Sequence, residues 1–382
     1  MLMVLDSFDF GGAENLIAEL GRYSPASLDV SVASLAPAEH GRDAMFGRLV
    51  EAGLHPTYLS VRRLLDLKGF FELVGTLRRA DVDVVHAHCG YSAVLVTLAA
   101  RLAGKPAVAT LHVSPQQHTT LSERLKERLS VRIPARLGRL VLVSQHAYDE
   151  FARAHGPARS TWRMIPNGID LDKYTACPGS SSAAHPVWAV VAALRPDKNH
   201  VDLIRAWADI VAVHPSAILL VIGDGPNRDE IERAVSAAGL ESSVLLLGRR
   251  EDVPEILSKV DGVVSASVDE ALPTALIEAG ASGLPVVAAD AGGTREIVLD
   301  KITGRLVPVR DVPALTQALL ETIEHPELAA AYSVASRNLV GEKFAMSKWV
   351  ERLGQLYREA KGATELPAVV SMAVRPDDNT AA

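Results

Sequence analysis

Short apolar runs alternate with longer amphipathic segments along most of this chain of 382 residues. Runs of about four to eight apolar residues predict buried strands, whereas apolar residues spaced three and four apart predict helices. In the first part of the chain the pattern predicts strands at 2–5, 30–35, 82–86, 107–111 and 140–144. Helices are predicted between them, for example at 13–22, 69–79 and 94–102.

The alternation pauses at residues 166–186, where Pro166-Asn167-Gly168-Ile169-Asp170 leads into a stretch rich in Ser, Gly and Pro. We interpret this stretch as a linker between domains. A second series of strands is predicted after it, at 187–194, 218–222, 244–247, 263–265 and 286–289, again with helical patterns in between.

Strands that alternate with helices are typical of a parallel, doubly wound α/β sheet. We therefore predict two doubly wound, Rossmann-like domains, at 1–172 and 173–335, which face each other across a cleft. An amphipathic helix within 336–362 is expected to pack back towards the first domain. Few large apolar side chains occur in 363–382, so we predict a disordered tail there.

Length and composition agree with this organisation. A chain of 382 residues is too long for one ordinary hydrophobic core and suits two domains of about 150–200 residues. Apolar residues make up 48% and charged residues 22%, as in globular proteins. The net charge of −7 arises after Asp172, where 28 acidic residues outnumber 20 basic ones. The lack of an overall basic excess argues against nucleic acid as the main ligand.

The cysteines and the hydropathy pattern favour a cytoplasmic protein. Cys89 and Cys177 lie far apart and lack metal-ligand spacing, which fits a reducing compartment and excludes a disulfide framework. The first residues read as a strand and not as a signal peptide. No window approaches the roughly 18 apolar residues that a membrane span requires.

One basic segment, residues 122–139, qualifies this expectation. It contains six basic residues and two acidic ones, while leucine and isoleucine recur at helical spacing from Leu121 to Ile133. Such a segment is either the solvated face of a helix or an amphipathic surface that docks on anionic lipid. The second alternative would place the protein at the inner face of the membrane.

Two carboxylates spaced eight residues apart, Glu270 and Glu278, carry the most information about function. They follow the predicted strand at 263–265, with Pro273 expected in the first turn of a helix that extends through Ala281. The N-terminal end of a helix offers backbone N–H groups and partial positive charge, which suit a phosphate. A carboxylate on each side of a diphosphate could accept hydrogen bonds from two sets of sugar hydroxyls. This arrangement predicts a nucleotide-sugar pocket.

Three further positions follow predicted strands. Lys198 lies just past the first strand of the second domain, where it either neutralises a diphosphate or is an ordinary solvated lysine. Gly11-Gly12 follows the first strand and either allows a phosphate or an acceptor to approach closely or forms a tight turn. Gly223-Asp224-Gly225 is not continued as a dinucleotide fingerprint, so we predict a structural turn there.

Three histidines, His86, His88 and His112, come from the ends of predicted strands in the first domain. We expect only one of His86 and His88 to face a given side of the sheet. No carboxylate or cysteine completes a convincing zinc site with them, so no metal is predicted. His112 is the best placed of the three to meet a sugar across the cleft.

Over residues 2–360 the chain resembles the retaining glycosyltransferases of family 4, which have the two-domain GT-B fold. The motifs that carry the resemblance are Phe10-Gly11-Gly12-Ala13-Glu14, Pro166-Asn167-Gly168-Ile169-Asp170, Gly223-Asp224-Gly225-Pro226, the pair Glu270 and Glu278 with Gly283-Leu284-Pro285-Val286-Val287, and Gly292-Gly293-Thr294-Arg295-Glu296-Ile297. In this order and spacing they are specific.

The resemblance implies a role for each matching residue. Glu278 would hold the ribose hydroxyls and Glu270 the hydroxyls of the transferred sugar, which His112 would also contact. The other donor-binding residues that it implies are Lys198 for the diphosphate, with backbone N–H groups near Leu272, Pro273 and Thr274, Gly12 for the phosphate or acceptor, and Arg249 and Arg250 beside the base. The family often has an arginine where this chain has Ala193. Arg195, two residues later, is a candidate to replace it.

The implied reaction moves a hexose from a UDP- or GDP-sugar to an acceptor hydroxyl with retention of the anomeric configuration. The product would be a cell-surface glycan, a glycolipid or a glycoside of a metabolite, and no cofactor or metal is expected. Two alternatives from other classes remain at this point. One is a sugar-nucleotide epimerase of related fold, and the other is a non-catalytic protein that binds sugar nucleotides.

Overall fold

The structure is a computed structural model that describes residues 1–9, 11–25, 28–59, 61, 66–88, 90, 93–115, 120–175 and 185–362. Phe10, both cysteines, most of the predicted linker after Thr175 and the tail predicted to be disordered lie outside the described residues. The described residues form two lobes, each built around one parallel sheet.

The first lobe contains seven strands in the order β3-β2-β1-β4-β5-β6-β7, and all neighbours pair in parallel. The strands are β1 (Leu2–Leu5), β2 (Ser31–Ser34), β3 (Thr57–Tyr58), β4 (Val85–His88), β5 (Ala107–Leu111), β6 (Arg139–Leu142) and β7 (Trp162–Met164). The helices are α1 (Gly12–Tyr23), α2 (Phe46–Glu51), α3 (Leu67–Arg79), α4 (Ala93–Leu102), α5 (Leu121–Leu137) and α6 (Gln145–His155).

The second lobe contains six strands in the order β10-β9-β8-β11-β12-β13, also parallel throughout. The strands are β8 (Val187–Val191), β9 (Ile218–Ile222), β10 (Val244–Gly248), β11 (Gly262–Ser265), β12 (Val286–Ala289) and β13 (Gly304–Val307). The helices are α7 (His200–Val213), α8 (Arg228–Ala237), α9 (Val253–Leu257), α10 (Thr274–Ala281), α11 (Val312–Glu324) and α12 (Pro326–Lys343).

Helices cover both faces of the first sheet, as its strand pattern requires. Met3 and Leu5 of β1 point to the face covered by α1 and by the last helix, α13 (Met346–Ala360). Leu2 and Val4 point to the opposite face, covered by α3 and α4. Because successive side chains of a strand alternate between faces, a strand buried on both sides must be apolar throughout. This explains the uninterrupted apolar runs in the sequence.

The final helix belongs to the packing of the first lobe, although it follows the second lobe in the chain. Trp349 and Leu353 of α13 are buried in the same core cluster as Met3. The chain crosses over at Ile169, whose N–H donates to the carbonyl of Phe344 at 2.7 Å and whose carbonyl accepts from the N–H of Met346 at 2.8 Å. The two segments that connect the lobes are therefore bonded to each other.

The order of the strands reverses beside the first strand of each sheet, between β1 and β4 and between β8 and β11. Ligands of open parallel sheets bind where such a reversal opens a crevice at the carboxyl ends of the strands. The segments at these ends carry Gly12 after β1, His88 in β4, Lys198 after β8 and Glu270 after β11. The topology therefore brings the candidate residues to the two crevices.

All ten predicted strands are present, but three observed strands were not predicted. These are β3, β7 and β13, and each lies at the edge of its sheet. Edge strands are short and only partly buried, so they lack the continuous apolar run on which the prediction depended. No helix in the described part of the chain is both long and apolar enough to cross a membrane.

Candidate functional site

The loops after β8 and β11 are joined by an ion pair between Lys198 and Glu270. Lys198 ends the short 3-10 turn Pro196–Lys198, and its Nζ lies 2.7 Å from Oε1 of Glu270. Each side chain is only 13% exposed. A second carboxylate, that of Asp197, lies 3.6 Å from the ammonium. The structure thus brings together two residues that lie 72 positions apart in the chain.

The backbone of Glu270 is held by the 3-10 turn Gly292–Glu296, which follows β12. The N–H of Gly293 donates to the carbonyl of Glu270 at 2.8 Å. A Cβ on Gly292 would lie 2.2 Å from that carbonyl oxygen, and a Cβ on Gly293 would lie 2.2 Å from the carbonyl oxygen of Ala271. Close packing of two backbones therefore requires both glycines.

The positive end of α10 directly follows the Glu270 loop. The helix begins at Thr274, so Pro273 is the N-cap residue, and the prediction that it occupies the first turn was wrong by one position. A proline cannot donate at an N-cap, and its fixed φ suits the extended conformation found there. No side chain of the described residues caps this end, and Leu272 and Pro273 are buried beside it. Such a helix end attracts an anion.

Glu278 lies in the second turn of α10, as predicted, close to where the two lobes meet. The pKa of its carboxyl is raised to about 7, mainly by burial and to a smaller extent by nearby Glu19 of α1, while Lys173 opposes both effects. The Lys173 ammonium lies 2.7 Å from the Glu19 carboxylate. A residue of the second lobe therefore shares its electrostatic environment with a helix of the first lobe.

Gly12 is the first residue of α1 and is exposed. A Cβ at this position would meet no atom of the described residues within 4 Å. Packing within the chain therefore does not require glycine at this position. A Cβ on the preceding Gly11 would lie 2.2 Å from a carboxylate oxygen of Glu14, which folds back towards the start of the helix.

The three histidines form one cluster beside α13, in which His86 and His88 are buried and His112 is partly buried. The ring centroids of His86 and His88 lie 4.0 Å apart, so the prediction that they face different sides was wrong. Residues two positions apart in a strand share a face. Nδ1 of His88 lies 3.0 Å from Nε2 of His112, whereas Nδ1 of His112 is buried and finds no hydrogen-bond partner among the described residues. Burial lowers the pKa of His112 to about 4, so its imidazole is neutral at physiological pH.

The arginines proposed for the donor site lie on exposed loops that follow β8 and β10. Arg195 donates to Asp197 at 2.8 Å and is 54% exposed. Arg250 pairs with the carboxylate of Asp252 through two nitrogens, and its neighbour Arg249 is also exposed. All three follow the carboxyl ends of strands. The backbone carbonyl of Arg195 accepts from the N–H of Lys198 at 3.1 Å, but among the described residues the side chains of Arg195 and Arg250 pair with Asp197 and Asp252 and not with Glu270.

Packing explains the glycines of the motif Gly223-Asp224-Gly225, whereas the turn predicted there lies just after it, at Pro226 and Asn227. Gly223 has a φ of 139°, and its Cβ would lie 2.0 Å from the carbonyl oxygen of Ala192. A Cβ on Gly225 would lie 2.5 Å from the carbonyl oxygen of Leu194. The motif therefore packs the loop after β9 against the loop that leads to Lys198.

No role was predicted for Glu19, Lys173 or Glu296, although Glu296 belongs to the motif Gly292-Gly293-Thr294-Arg295-Glu296-Ile297. Their partners lie about 150 residues away in the chain, so no local pattern could reveal them. Among the described residues, no group of three or more His, Cys, Asp or Glu side chains could hold a metal ion. The arrangement offers one ammonium, two carboxylates and a helix end, which can bind a diphosphate and hydroxyl groups.

Comparison with known families covers both lobes. The family described as Glycosyltransferase Family 4 matches residues 10–173. The family described as Glycosyl transferases group 1 matches residues 181–339. The first match contains Gly12 and His112, and the second contains Lys198, Glu270 and Glu278.

Curated relatives of the chain are named glycosyltransferases. The alpha-D-kanosaminyltransferase of Streptomyces kanamyceticus is 27% identical over 368 residues, which cover 86% of this chain and 94% of that protein. The UDP-Gal:alpha-D-GlcNAc-diphosphoundecaprenol alpha-1,3-galactosyltransferase of Escherichia coli is 25% identical over 313 residues, 78% of this chain and 81% of that protein. These names favour transfer over epimerisation.

A solved structure shows the same fold. HepE from Anabaena, crystallised in complex with UDP, superposes with a TM-score of 0.82 at 23% identity, over 94% of this chain and 99% of that chain. Sucrose-phosphate synthase from Thermosynechococcus elongatus superposes with a TM-score of 0.74 at 19% identity, over 95% of this chain and 99% of that chain. With both lobes matched in sequence and in fold, this chain belongs to the family 4 glycosyltransferases and is a transferase with the GT-B fold.

Proposed function

We propose that the protein transfers a hexose from a UDP- or GDP-sugar to the hydroxyl of an acceptor, with retention of the anomeric configuration. The observation that carries the proposal is the Lys198–Glu270 contact beside the uncapped start of α10. It places a cation, a helix N-terminus and a carboxylate around one point, as a diphosphate linked to a sugar requires.

We propose the following roles for the residues around the Lys198–Glu270 contact. Lys198 and the backbone at Leu272, Pro273 and Thr274 bind the diphosphate, while Glu270 accepts hydrogen bonds from the transferred hexose. Glu278 accepts hydrogen bonds from the ribose. His112 donates to or accepts from the hexose, because the buried Nδ1 of this neutral ring has no partner within the described chain.

The remaining roles concern the rim of the site. Gly12 leaves open space at the start of α1, where a phosphate or an acceptor can approach the backbone. Arg249 and Arg250 lie beside the base, and Arg195 can swing from Asp197 towards the diphosphate because it is exposed.

The chemistry then needs no protein nucleophile. The acceptor oxygen forms a bond to the anomeric carbon as the bond to the diphosphate breaks, and the acceptor proton passes to the departing diphosphate. The protein contributes the positions of the reactants and stabilises the charge of the leaving group. Neither a cofactor nor a metal is part of this proposal.

The acceptor is proposed to be a hydroxyl of a cell-surface glycan precursor, a glycolipid or a small metabolite. We also propose that α5 touches an anionic membrane surface from the cytoplasmic side. Its leucines at 121, 125 and 129 are 82%, 57% and 37% exposed, and exposed basic residues lie among them. Apolar and basic side chains on one outward face suit a lipid interface.

The proposal can be tested by incubating the protein with a panel of UDP- and GDP-hexoses, with and without candidate acceptors. Release of nucleoside diphosphate from one donor, accelerated by an acceptor, is the expected result. An isomerised sugar would identify an epimerase, and binding without turnover would identify a sensor. A thermal-shift screen of nucleoside diphosphates selects the base first, because a bound ligand raises the melting temperature.

A further inference from the structure

A carboxylate of the second lobe caps a helix of the first lobe. Oε1 of Glu296 accepts from the N–H of His146 at 2.8 Å, and Oε2 accepts from the N–H of Gln145 at 3.0 Å. Gln145 and His146 are the first two residues of α6, and the side chain of Ser144 accepts from the next amide, that of Ala147, at 3.0 Å. The start of α6 is thus satisfied by both lobes together.

The charge that stabilises this helix end comes from the other lobe. The first turn of α6 contains no acidic residue of its own. The helix dipole gives its N-terminus partial positive charge, and a carboxylate held there by two N–H groups is a strong, directional partner. Within the described residues, these two backbone amides are the hydrogen-bonding partners of Glu296, and no cationic side chain lies within ion-pair distance of it.

The same turn supports Glu270. Gly292–Glu296 is packed between the Glu270 backbone on one side and the start of α6 on the other. A Cβ on Gly292 would lie 2.2 Å from the carbonyl oxygen of Glu270 and 3.1 Å from Cδ2 of His146. A Cβ on Gly293 would lie 3.4 Å from the Cβ of Ser144. A movement of α6 relative to this turn would therefore displace Glu270.

We propose that Glu296 is a positioning residue that fixes the distance between the first lobe and Glu270. It acts through its hydrogen bonds to α6 and through the Gly293–Glu270 backbone contact, and it does not touch the donor. The inference rests on the sugar-binding role proposed for Glu270. If the two lobes part at α6, the hexose held by Glu270 is displaced from an acceptor on the first lobe.

Three purified variants of the full chain test this role: Glu296→Ala, Glu296→Gln and the control Arg295→Ala. Arg295 belongs to the same turn, but its partner, Asp290, lies in its own lobe. For Glu296→Ala we expect kcat to fall on the order of ten- to a hundredfold, since small misplacements of a reactant are costly. The Kd of the nucleoside diphosphate should stay within about twofold, because the substitution leaves Lys198 and Glu278, the side chains proposed to bind the nucleotide, unchanged.

Glu296→Gln should recover part of the lost kcat, since an amide oxygen still accepts from one of the two N–H groups. Arg295→Ala should have the kcat of the wild type. Hydrogen exchange followed by mass spectrometry examines the contact directly: amides 145 and 146 should exchange about tenfold or more faster in Glu296→Ala than in the wild type.

The outcomes separate this inference from the proposed function. Wild-type kcat in Glu296→Ala, together with a large loss in Glu270→Ala, would overturn the inference alone. Normal turnover in both variants would overturn the role of Glu270 and hence the proposed function as well. If Glu296→Ala does not fold, amide hydrogen exchange of the wild type tests the contact instead. Unprotected amides at 145 and 146 would then exclude the hydrogen bonds from Glu296 to α6.

Discussion

Lys198 and Glu270 meet at 2.7 Å although they come from loops after two neighbouring strands, β8 and β11. Each neutralises the other in the structure. A bound donor would divide the pair, because the ammonium suits the diphosphate and the carboxylate suits the sugar hydroxyls. We therefore expect donor binding to replace this partly buried ion pair with two new sets of contacts.

Replacement of the lysine tests the diphosphate role. Lys198→Ala is expected to raise the Kd of the nucleoside diphosphate about 10- to 150-fold, since a hydrogen bond to a charged group contributes about 1.5–3 kcal/mol. Lys198→Arg, which keeps the positive charge, should lose less affinity for the nucleoside diphosphate. Isothermal titration calorimetry measures both, and an unchanged Kd in Lys198→Ala would exclude contact with the diphosphate.

Glu270→Ala should separate turnover from binding. We expect kcat to fall on the order of a hundredfold or more, as when one group that orients or stabilises the reacting sugar is lost. Nucleoside-diphosphate affinity should be unchanged or slightly higher, because the Lys198 ammonium loses a competing carboxylate. Steady-state kinetics and calorimetry on the same preparation measure the split, and near-normal turnover would contradict the assignment.

Glu278→Gln should weaken nucleotide binding yet stabilise the free protein at neutral and higher pH. Burial raises the pKa of Glu278 from 4.5 to about 7. At pH values between these two pKa values, the unfolded chain has released a proton that the folded chain still binds. The free energy of unfolding therefore falls as the pH rises through this range. Each pKa unit corresponds to about 1.36 kcal/mol, so above pH 7 the ionised Glu278 lowers the free energy of unfolding by at most about 3 kcal/mol.

Melting curves at pH 4 and pH 8 check this prediction. The variant should melt higher than the wild type at pH 8, and the difference should disappear at pH 4, where the carboxyl is protonated in both states. Equal melting temperatures at pH 8 would show that the carboxyl is not buried as the structure has it. Calorimetry at pH 8 should show a Kd about 10-fold or more higher in the variant.

Gly12→Ala distinguishes a ligand contact from a structural glycine. Since a Cβ there meets nothing within 4 Å, the variant should be as stable as the wild type or slightly more so. Turnover should nevertheless fall if a phosphate or an acceptor approaches the backbone. Gly47→Ala in α2 is the matched control, because its Cβ also meets nothing within 4 Å and no ligand is proposed there. Equal activity in the two variants would leave Gly12 without a binding role.

Charge reversal on α5 tests the membrane contact. Arg128, Arg132 and Arg136 are exposed, and their replacement by glutamate should lower the affinity for vesicles rich in phosphatidylglycerol. Each basic residue near such a surface contributes about 1 kcal/mol, so the loss should exceed about a hundredfold at low salt. Vesicle sedimentation measures the binding, and neutral phosphatidylcholine vesicles should bind neither protein.

The matched control reverses three exposed basic residues of the second lobe, Arg233, Lys259 and Lys301. It changes the net charge by the same amount and should bind vesicles as the wild type does. If both triple variants lose affinity equally, the attraction depends on net charge and not on α5.

Much of the fold could be predicted from the sequence, because a buried parallel strand must be apolar on both faces. All ten predicted strands exist, and the bounds predicted for α1, α3 and α4 were correct to within two residues. Three edge strands escaped prediction because their partial burial leaves a weaker pattern. The error over His86 and His88 had a different origin, since the period of a strand already places residues two apart on one face.

The sequence by itself determined the order of strands and helices. It also determined that Gly12, Lys198 and Glu270 follow strands and that Glu278 lies in the second turn of a helix. These are local properties, fixed by hydrophobic period and by the preferences of glycine and proline. The tertiary structure alone decided that Glu270 is paired with Lys198, that Glu278 has a raised pKa, and that Glu296 caps α6. Ion pairing, burial and capping depend on groups far apart in the chain, and only the packing of the two lobes brings such groups within hydrogen-bond distance.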